Sequence, residues 1–208
     1  MNYDVIIVGA GPGGIFSAYE LTRLRPELKV AVFEAGHPLK NRRCPIDGVR
    51  VKSCIACKSC SIMSGFGGAG AFSDGKYNIT NDFGGTLYEY LGKAKALELM
   101  RYVDQINMAY GGEGTKLYSP AGTKFKKLCM QNDLHLLDAS VRHLGTDINY
   151  VVLENLYAYL KEKVTFYFDT PVESVAAVDG GYQVTCKAGS FSCSQCVISV
   201  GRSGSKWM

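Results

Sequence analysis

Three glycines near the start of the chain have the spacing of a phosphate-binding turn. Gly9, Gly11 and Gly14 form the pattern G-x-G-x-x-G between a β-type run at residues 3–9 and a helical pattern at residues 12–24. The first glycine permits the tight turn, the second lets the backbone approach a pyrophosphate, and the third lets the helix pack on the strand. The helix N-terminus adds free N–H groups, so the pattern predicts a pyrophosphate site. Its residues would be Gly9, Gly11, Pro12, Gly13 and Gly14.

An acidic residue ends the next predicted strand. Glu34 closes the run at residues 28–34 and lies 20 residues after Gly14. A carboxylate at this place accepts hydrogen bonds from ribose hydroxyls and repels a 2′-phosphate, which argues against NADP at this site. The strand–turn–helix–strand unit requires a right-handed crossover and a parallel sheet. The glycines alone do not decide between FAD and NAD.

A second group of residues with chemical potential is the cluster of cysteines at Cys54, Cys57 and Cys60, with Cys44 before a proline. The spacing C-x₂-C-x₂-C is part of the ferredoxin pattern, and four thiolates also suit zinc. Basic residues around the cluster favour the thiolate form. Three interpretations stay open. These four cysteines hold a [4Fe–4S] or zinc centre, two of them form a redox dithiol, or they only pack.

The other cysteines carry a weaker signal. Cys193 and Cys196 have C-x₂-C spacing, but they lie in a predicted strand, where residues three apart point to opposite faces. We therefore predict that they bind no common metal and that, with Cys186 and Cys129, they are core or surface residues.

The composition narrows the classes of protein to consider. The 208 residues are 47% hydrophobic and 20% charged, with a net charge of +4. This charge is too small to indicate a dedicated nucleic-acid-binding protein, and no apolar run is long enough to span a bilayer. Because the first strand begins at Tyr3, a signal peptide has no room, and eight cysteines without one indicate a reducing cytoplasm. We expect a cytoplasmic protein with a small-molecule substrate.

The order of predicted elements favours FAD over NAD. A glycine- and cysteine-rich loop at 37–85 is followed by predicted helices at 94–110 and 148–162 and a strand at 164–169. Three short strands then form an antiparallel meander, which is typical of flavoproteins that bind two dinucleotides. We predict an FAD-binding core at 1–85, an inserted substrate-facing region at 86–148, and a return to the core at 149–208.

Five segments together resemble a family of FAD-dependent dehydrogenases among the NAD(P)/FAD-dependent oxidoreductases of bacteria and archaea. They are YDVIIVGAGPGGIFSAYEL, VAVFEAG, SGFGGAGAFSDGKYN, RHLGTD and VISVGRSGSKWM. The resemblance implies that Gly67, Gly68 and Ala69 approach the flavin, that Val172 lies beside the adenine, and that Gly201 marks where the last strand passes the cofactor. Members of the family are considerably longer. The resemblance therefore implies an N-terminal portion, completed by a C-terminal half that a separate gene could encode.

Two of these segments contain further candidate residues. Ser73, Asp74 and Lys76 could reach the edge of the isoalloxazine, or they could form an ordinary turn. His143 could bind substrate or transfer a proton, because histidine titrates near neutral pH, or it could serve packing or capping. His37 and His135 have no supporting pattern.

Together these features predict an FAD-dependent oxidoreductase with an α/β fold. A Rossmann-like parallel sheet, an antiparallel meander and an inserted α+β region would position the flavin, and a hydride or electron pair would pass between it and an organic substrate. NAD(P)H is a candidate electron donor. Two alternatives stay open: an NAD-dependent dehydrogenase using the same glycine turn, and a catalytically incomplete FAD-binding fragment that needs a second chain. No residue is assigned as catalytic.

Overall fold

The computed structural model describes residues 2–205 and 207 and confirms the α/β fold class. Its strands are β1 (Asn2–Val8), β2 (Val30–Phe33), β3 (Lys76–Ile79), β4 (Leu117–Tyr118), β5 (Ser140–His143), β6 (Thr165–Tyr167), β7 (Val172–Val178), β8 (Gly181–Cys186) and β9 (Gly189–Ile198). Its α-helices are α1 (Pro12–Leu24), α2 (Leu87–Leu91), α3 (Lys93–Asn107), α4 (Lys124–Gln131) and α5 (Gly145–Leu160). Short 3-10 helices cover Leu39–Asn41, Gly68–Phe72 and Arg202–Gly204. No helix in this described part of the chain is both long and apolar enough to cross a membrane.

The chain forms two compact units. The first comprises Met1–Phe72 and Leu153–Met208, and the second comprises Ser73–Val152. The region predicted as an insertion, 86–148, lies inside the second unit, whose boundaries are wider than the predicted ones. Its role as a substrate-facing region stays a prediction.

A six-stranded sheet forms the centre of the first unit, in the order β6-β2-β1-β9-β8-β7. Strand β1 pairs in parallel with β2 on one side and with β9 on the other. Strand β9 also pairs antiparallel with β8, so one strand is both the last strand of the meander and a member of the parallel sheet. The residues of β1 from Val5 to Val8 are all buried, as expected of a parallel strand that is covered on both faces.

Aromatic side chains fill the core beside this sheet. The Phe33 ring stacks on the Tyr167 ring with centroids 4.5 Å apart, and Phe191 packs edge-on against Phe33 at 4.9 Å. A second group forms around the fully buried Phe66, whose ring contacts the Tyr157 and Phe166 rings. The long loop after β2 is therefore anchored in the core at Phe66.

A hydrogen bond joins the phenols of Tyr3 and Tyr167, with 2.7 Å between the two oxygens. This bond, followed by burial, raises the pKa of Tyr167 to about 12 from its ordinary value of 10.0. The neutral phenol is the form that the fold favours. Its contribution to stability is therefore complete below pH 10 and is lost as the pH rises from 10 towards 12.

We expect one tyrosine of the folded protein to titrate near pH 12 in a ¹³Cζ NMR titration. Tyr3→Phe removes its partner and should move that titration back towards pH 10, whereas Tyr90→Phe, at an exposed position, should leave it in place. A wild-type protein in which all visible tyrosines titrate near pH 10 would contradict this assignment.

The second unit contains a three-stranded antiparallel sheet in the order β3-β5-β4. One face is covered by helices. Tyr77 on β3 donates from its hydroxyl to Asn149 Oδ1 on α5 at 2.7 Å, and Arg142 on β5 forms a two-bonded ion pair with Asp104 on α3 at 2.9 and 2.7 Å. Strand β5 starts at Ser140. The segment before it takes no strand pairing in the described structure.

Candidate functional site

The glycine turn after β1 has no room for side chains at two of its three motif positions. A Cβ on Gly9, where φ is +104°, would lie 2.3 Å from the backbone oxygen of Ser199. A Cβ on Gly14 would lie 1.9 Å from the oxygen of Gly9. The turn therefore packs tightly against the segment after β9 and against the start of its own helix. A Cβ on Gly11 would make only an ordinary van der Waals contact, with Gly68 Cα at 3.8 Å.

The N-terminus of α1 is available to a ligand. Gly11 is the residue before the helix, Pro12 is within its first turn, and no described side chain caps this end. The N–H groups in the first turn of a helix have no acceptor within the helix. Proline has no N–H, so the free donors here belong to the residues after Pro12, including Gly13 and Gly14. The first turn also has no acidic residue, so its positive dipole end is not neutralised.

The second glycine-rich segment packs directly on this turn. Gly67 N donates to Ala10 O at 2.8 Å, and a Cβ on Gly68 would lie 3.1 Å from Gly11 Cα. Ala69 follows in the 3-10 helix Gly68–Phe72. The structure thus brings the two predicted glycine segments together, although they are more than 50 residues apart in the chain.

The Glu34 carboxylate connects the glycine turn to the loop that carries Gly67 and Gly68. It is buried and accepts three backbone hydrogen bonds: from Ala10 N at 2.7 Å, from Gly36 N at 2.8 Å and from Gly65 N at 2.9 Å. These donors belong to the glycine turn, to the end of β2 and to the loop that carries Gly67 and Gly68. Sequence reasoning placed Glu34 at the ribose, and that role stays a prediction, but it missed this structural role.

A buried arginine, Arg42, also binds the loop that carries Gly67 and Gly68. The Arg42 guanidinium donates to the backbone oxygens of Ser61 at 2.9 Å, Ile62 at 2.9 Å and Phe66 at 2.6 Å. Burial lowers the pKa of Arg42, and the nearby Glu34 carboxylate opposes this shift. The sequence showed Arg42 only as one of several basic residues in the loop. No spacing signal distinguished it, because its partners are main-chain atoms.

Val172 and Gly201 lie at two other ends of strands. Thr170 N donates to Glu34 O at 2.9 Å, so the segment that leads into Val172 runs beside Glu34, while the Val172 side chain is buried in the core. Ser199 N donates to Val8 O at 2.8 Å, and Gly201 follows with φ +62°. The predicted place of Val172 beside the adenine, and that of Gly201 where the last strand passes the cofactor, stay predictions.

His37, which follows β2, has a partner that the sequence did not indicate. His37 Nδ1 contacts the Asp169 carboxylate, and Asp169 N donates to Gly36 O at 3.0 Å. The pair thus links the segments that follow β2 and β6.

The predicted metal centre in the cysteine-rich loop finds no support. Cys44, Cys54 and Cys57 are exposed and Cys60 is half-buried. Within residues 2–205 and 207, no group of three or more Cys, His, Asp and Glu side chains is arranged to hold a metal ion. The two-residue gaps alone do not gather the sulfurs, because the loop is folded around Arg42 and Phe66 instead.

The prediction that Cys193 and Cys196 face opposite sides of their strand is wrong. Both contribute to the same core cluster: Cys193 belongs to it and Cys196 packs against it. Alternation breaks at the adjacent exposed residues Ser194 and Gln195, just after β9 loses β8 as its neighbour. Burial, with the neighbouring Cys193, raises the pKa of Cys196 to about 11, and burial raises that of Cys193. Both stay neutral thiols near pH 7.

The two motif segments of the second unit meet in space. Lys76 on β3 lies directly opposite His143 on β5, and Leu144 N donates to Gly75 O at 2.9 Å. Gly75 has φ +63°, and a Cβ there would lie 2.8 Å from Gly145 O. The residues Ser73 to Lys76 and Arg142 to Thr146 thus form one local structure, a pairing that sequence reasoning did not propose.

Comparison with protein families matches the first part of the chain. Residues 1–38, which contain the glycine turn and Glu34, match the Thi4 family. The thiamine thiazole synthase of Yarrowia lipolytica is 54% identical over 33 residues, 16% of this chain and 10% of that protein. An uncharacterized protein of Clostridium beijerinckii is 29% identical over 185 residues, which cover 88% of this chain and 29% of that protein. The chain therefore spans less than a third of that relative.

Solved structures of oxidases share the fold. Glycine oxidase from Geobacillus kaustophilus superposes with a TM-score of 0.53 and 19% identity, covering 96% of this chain and 55% of that chain. NikD, an amino acid oxidase of nikkomycin biosynthesis, gives a TM-score of 0.50 and 12% identity, with 96% and 51% covered. The chain spans about half the length of each, and it has the Rossmann-type α/β fold of these oxidases.

Proposed function

We propose that this chain is the FAD-binding portion of an FAD-dependent oxidoreductase, a dehydrogenase acting on a small organic molecule. One observation carries the proposal: a second glycine-rich segment packs beside the uncapped N-terminus of α1, and the Glu34 carboxylate hydrogen-bonds to both segments. A dinucleotide needs these parts together, because its pyrophosphate requires N–H donors and its ribose requires an acceptor.

The residues present fit this cofactor. A carboxylate offers about four lone-pair positions, and the three backbone bonds to Glu34 leave one on Oε2 for a ribose hydroxyl. Because Gly11 has no side chain, a pyrophosphate can approach its backbone closely. Gly9, Gly11, Gly13 and Gly14 would hold the pyrophosphate, with Gly67, Gly68 and Ala69 on the flavin side.

When bound, the flavin supplies the redox chemistry by accepting or donating a hydride. The residues of this chain bind and orient it. Because the chain spans about half of the oxidases that share its fold, we further propose that other polypeptide completes the enzyme, either in the same protein or as a separate chain. An FAD-binding portion that is inactive alone fits the same observation.

Binding of FAD to the purified chain tests the proposal. We expect the flavin fluorescence of FAD to be quenched when it binds the chain, and the melting temperature of the chain to rise. NADH should raise the melting temperature far less. Gly68→Ala places a Cβ at φ +58° and 3.1 Å from Gly11 Cα, and should weaken FAD binding about tenfold. Gly70→Ala is the matched control, because nothing lies within 4 Å of its added Cβ, and it should change affinity by about twofold at most.

Two results would contradict the proposal. Stabilisation by NADH without any effect of FAD would favour the NAD-dependent alternative. Equal affinities for FAD in the Gly68 and Gly70 variants would show that the ligand does not lie where the two glycine segments meet.

A further inference from the structure

We propose that the Ser199 hydroxyl binds the pyrophosphate of the dinucleotide, facing the N-terminus of α1 across the ends of β1 and β9. The inference rests on the proposed function and adds a binding residue that lies outside the glycine motif. Ser199 and the glycine turn both belong to the first compact unit.

The strand order of the sheet indicates where a ligand would lie. From β1 the chain passes through α1 to β2, and β6 follows on that side, whereas β9 lies on the other side of β1. In open α/β sheets, ligands bind at the carboxyl ends of the strands, at the place where the strand order reverses. In this chain that place lies between the carboxyl ends of β1 and β9. The glycine turn follows the first of these strands, and Ser199 follows the second.

The Ser199 side chain points at the start of α1. A Cβ on Gly13 would lie 2.4 Å from Ser199 Oγ and 3.6 Å from Ser199 Cβ, so the hydroxyl is the closer part of the residue. The main chain fixes this position, because Ser199 N donates to Val8 O at 2.8 Å. Since Gly13 lies in the first helical turn, its N–H is one of the free donors of the proposed pyrophosphate site.

The Ser199 hydroxyl is free to bind a ligand. The side chain is half-buried, and its hydroxyl makes no hydrogen bond within the part of the chain that the structure describes. It does not cap α1, whose N-terminus has no side-chain cap. A serine hydroxyl can donate one hydrogen bond, and a bond to an ionised phosphate oxygen is stronger than a bond to a neutral acceptor. Residues 9–14 include no cationic side chain, so the turn itself offers only neutral donors.

Binding of FAD and of ADP to the purified chain tests the role of Ser199, because both ligands carry a pyrophosphate. Ser199→Ala should weaken the binding of each ligand about tenfold, since it removes a charge-assisted hydrogen bond. Ser199→Cys keeps a side chain of similar shape but replaces the hydroxyl with a weak donor, so it should weaken binding nearly as much. Ser194→Ala, at an exposed position on β9, is the matched control and should change either affinity by about twofold at most.

Phosphorus NMR of the bound cofactor gives a readout that a change in folding alone would not produce. We expect a ³¹P signal of bound FAD to move in Ser199→Ala and to stay in place in Ser194→Ala. The ligand-free Ser199→Ala chain should melt at nearly the same temperature as the wild type, because its hydroxyl has no partner to lose among the described residues.

The inference is overturned if Ser199→Ala binds FAD and ADP as tightly as the wild type does, or if the ³¹P signals of bound FAD are the same in both proteins. Failure of the proposed function gives a different result. A chain that binds ADP but not FAD loses the flavoprotein role, and the ADP titration of the Ser199 variants then decides the inference. A wild-type chain that binds neither ligand overturns both proposals.

Discussion

Glu34→Ala is expected to lower the free energy of unfolding by about 3 kcal/mol or more and to weaken FAD binding by about one to two orders of magnitude. The substitution leaves three buried backbone donors, on Ala10, Gly36 and Gly65, without their acceptor. Each such donor costs about 1–3 kcal/mol when it is left unpaired. Urea denaturation measures the first effect and FAD titration measures the second.

Glu34→Gln separates the two roles of the carboxylate. The glutamine amide keeps one acceptor oxygen but presents an NH₂ group to a backbone N–H, so we expect an intermediate loss of stability. Glu27→Ala is the matched control, since this exposed carboxylate pairs only with the side chain of Arg25 among the ion pairs of the described residues. If Glu34→Ala and Glu27→Ala were equally stable, the carboxylate would not hold the three segments together.

Arg42→Ala is expected to lower the free energy of unfolding by about 3 kcal/mol and to weaken FAD binding about tenfold. Three carbonyl oxygens lose a charged donor, and the buried stem of the side chain leaves a cavity under the Phe72 ring, which lies 4.8 Å from the guanidinium carbon. Hydrogen exchange should become faster at residues 61–68 while the amides of β1 stay protected.

Arg42→Lys should recover only part of this loss. An ammonium group cannot donate along the fixed planar fork that reaches three separate carbonyls, and a buried lysine loses its proton more readily. Arg43→Ala, at the adjacent exposed position, provides the control and should leave exchange at residues 61–68 unchanged. Fast exchange in both variants would mean that the loop is not held by Arg42.

The sequence indicated the fold through periodic and local signals. The apolar run of β1, the glycine turn and the helix Pro12–Leu24 are all local, and the structure has them where the pattern predicts them. Glu34 was also found, because its distance from the glycines is fixed by the helix between them. Its bond to Gly65 could not be found in this way, since it joins residues 31 positions apart through a loop without periodicity.

The other differences between the sequence-based predictions and the structure also arise from features that no local sequence pattern encodes. Arg42 binds main-chain oxygens, which every residue type carries, so no sequence pattern marks its partners. The cysteine spacing was a local signal with no information about how the loop folds around Phe66. The pairing of Lys76 with His143 depends on the register of two strands 67 positions apart, as their numbers show. Strand alternation misplaced Cys196, because it assumes an undistorted strand along the whole of β9.

The two neighbours of β1 come from opposite ends of the chain. Its partner β2 follows within 30 residues, but its partner β9 includes Ser192, which is 190 positions from Asn2. Contacts between such distant positions make folding slow, because the chain must lose the entropy of closing a long loop before the contact contributes favourable free energy. During synthesis, one edge of β1 therefore stays unpaired until the ribosome has released almost all of this sequence. The glycine turn also waits for Ser199, whose N–H bonds to Val8 O. Competence to bind a nucleotide should thus arise late in synthesis, even though the motif is among the first residues made.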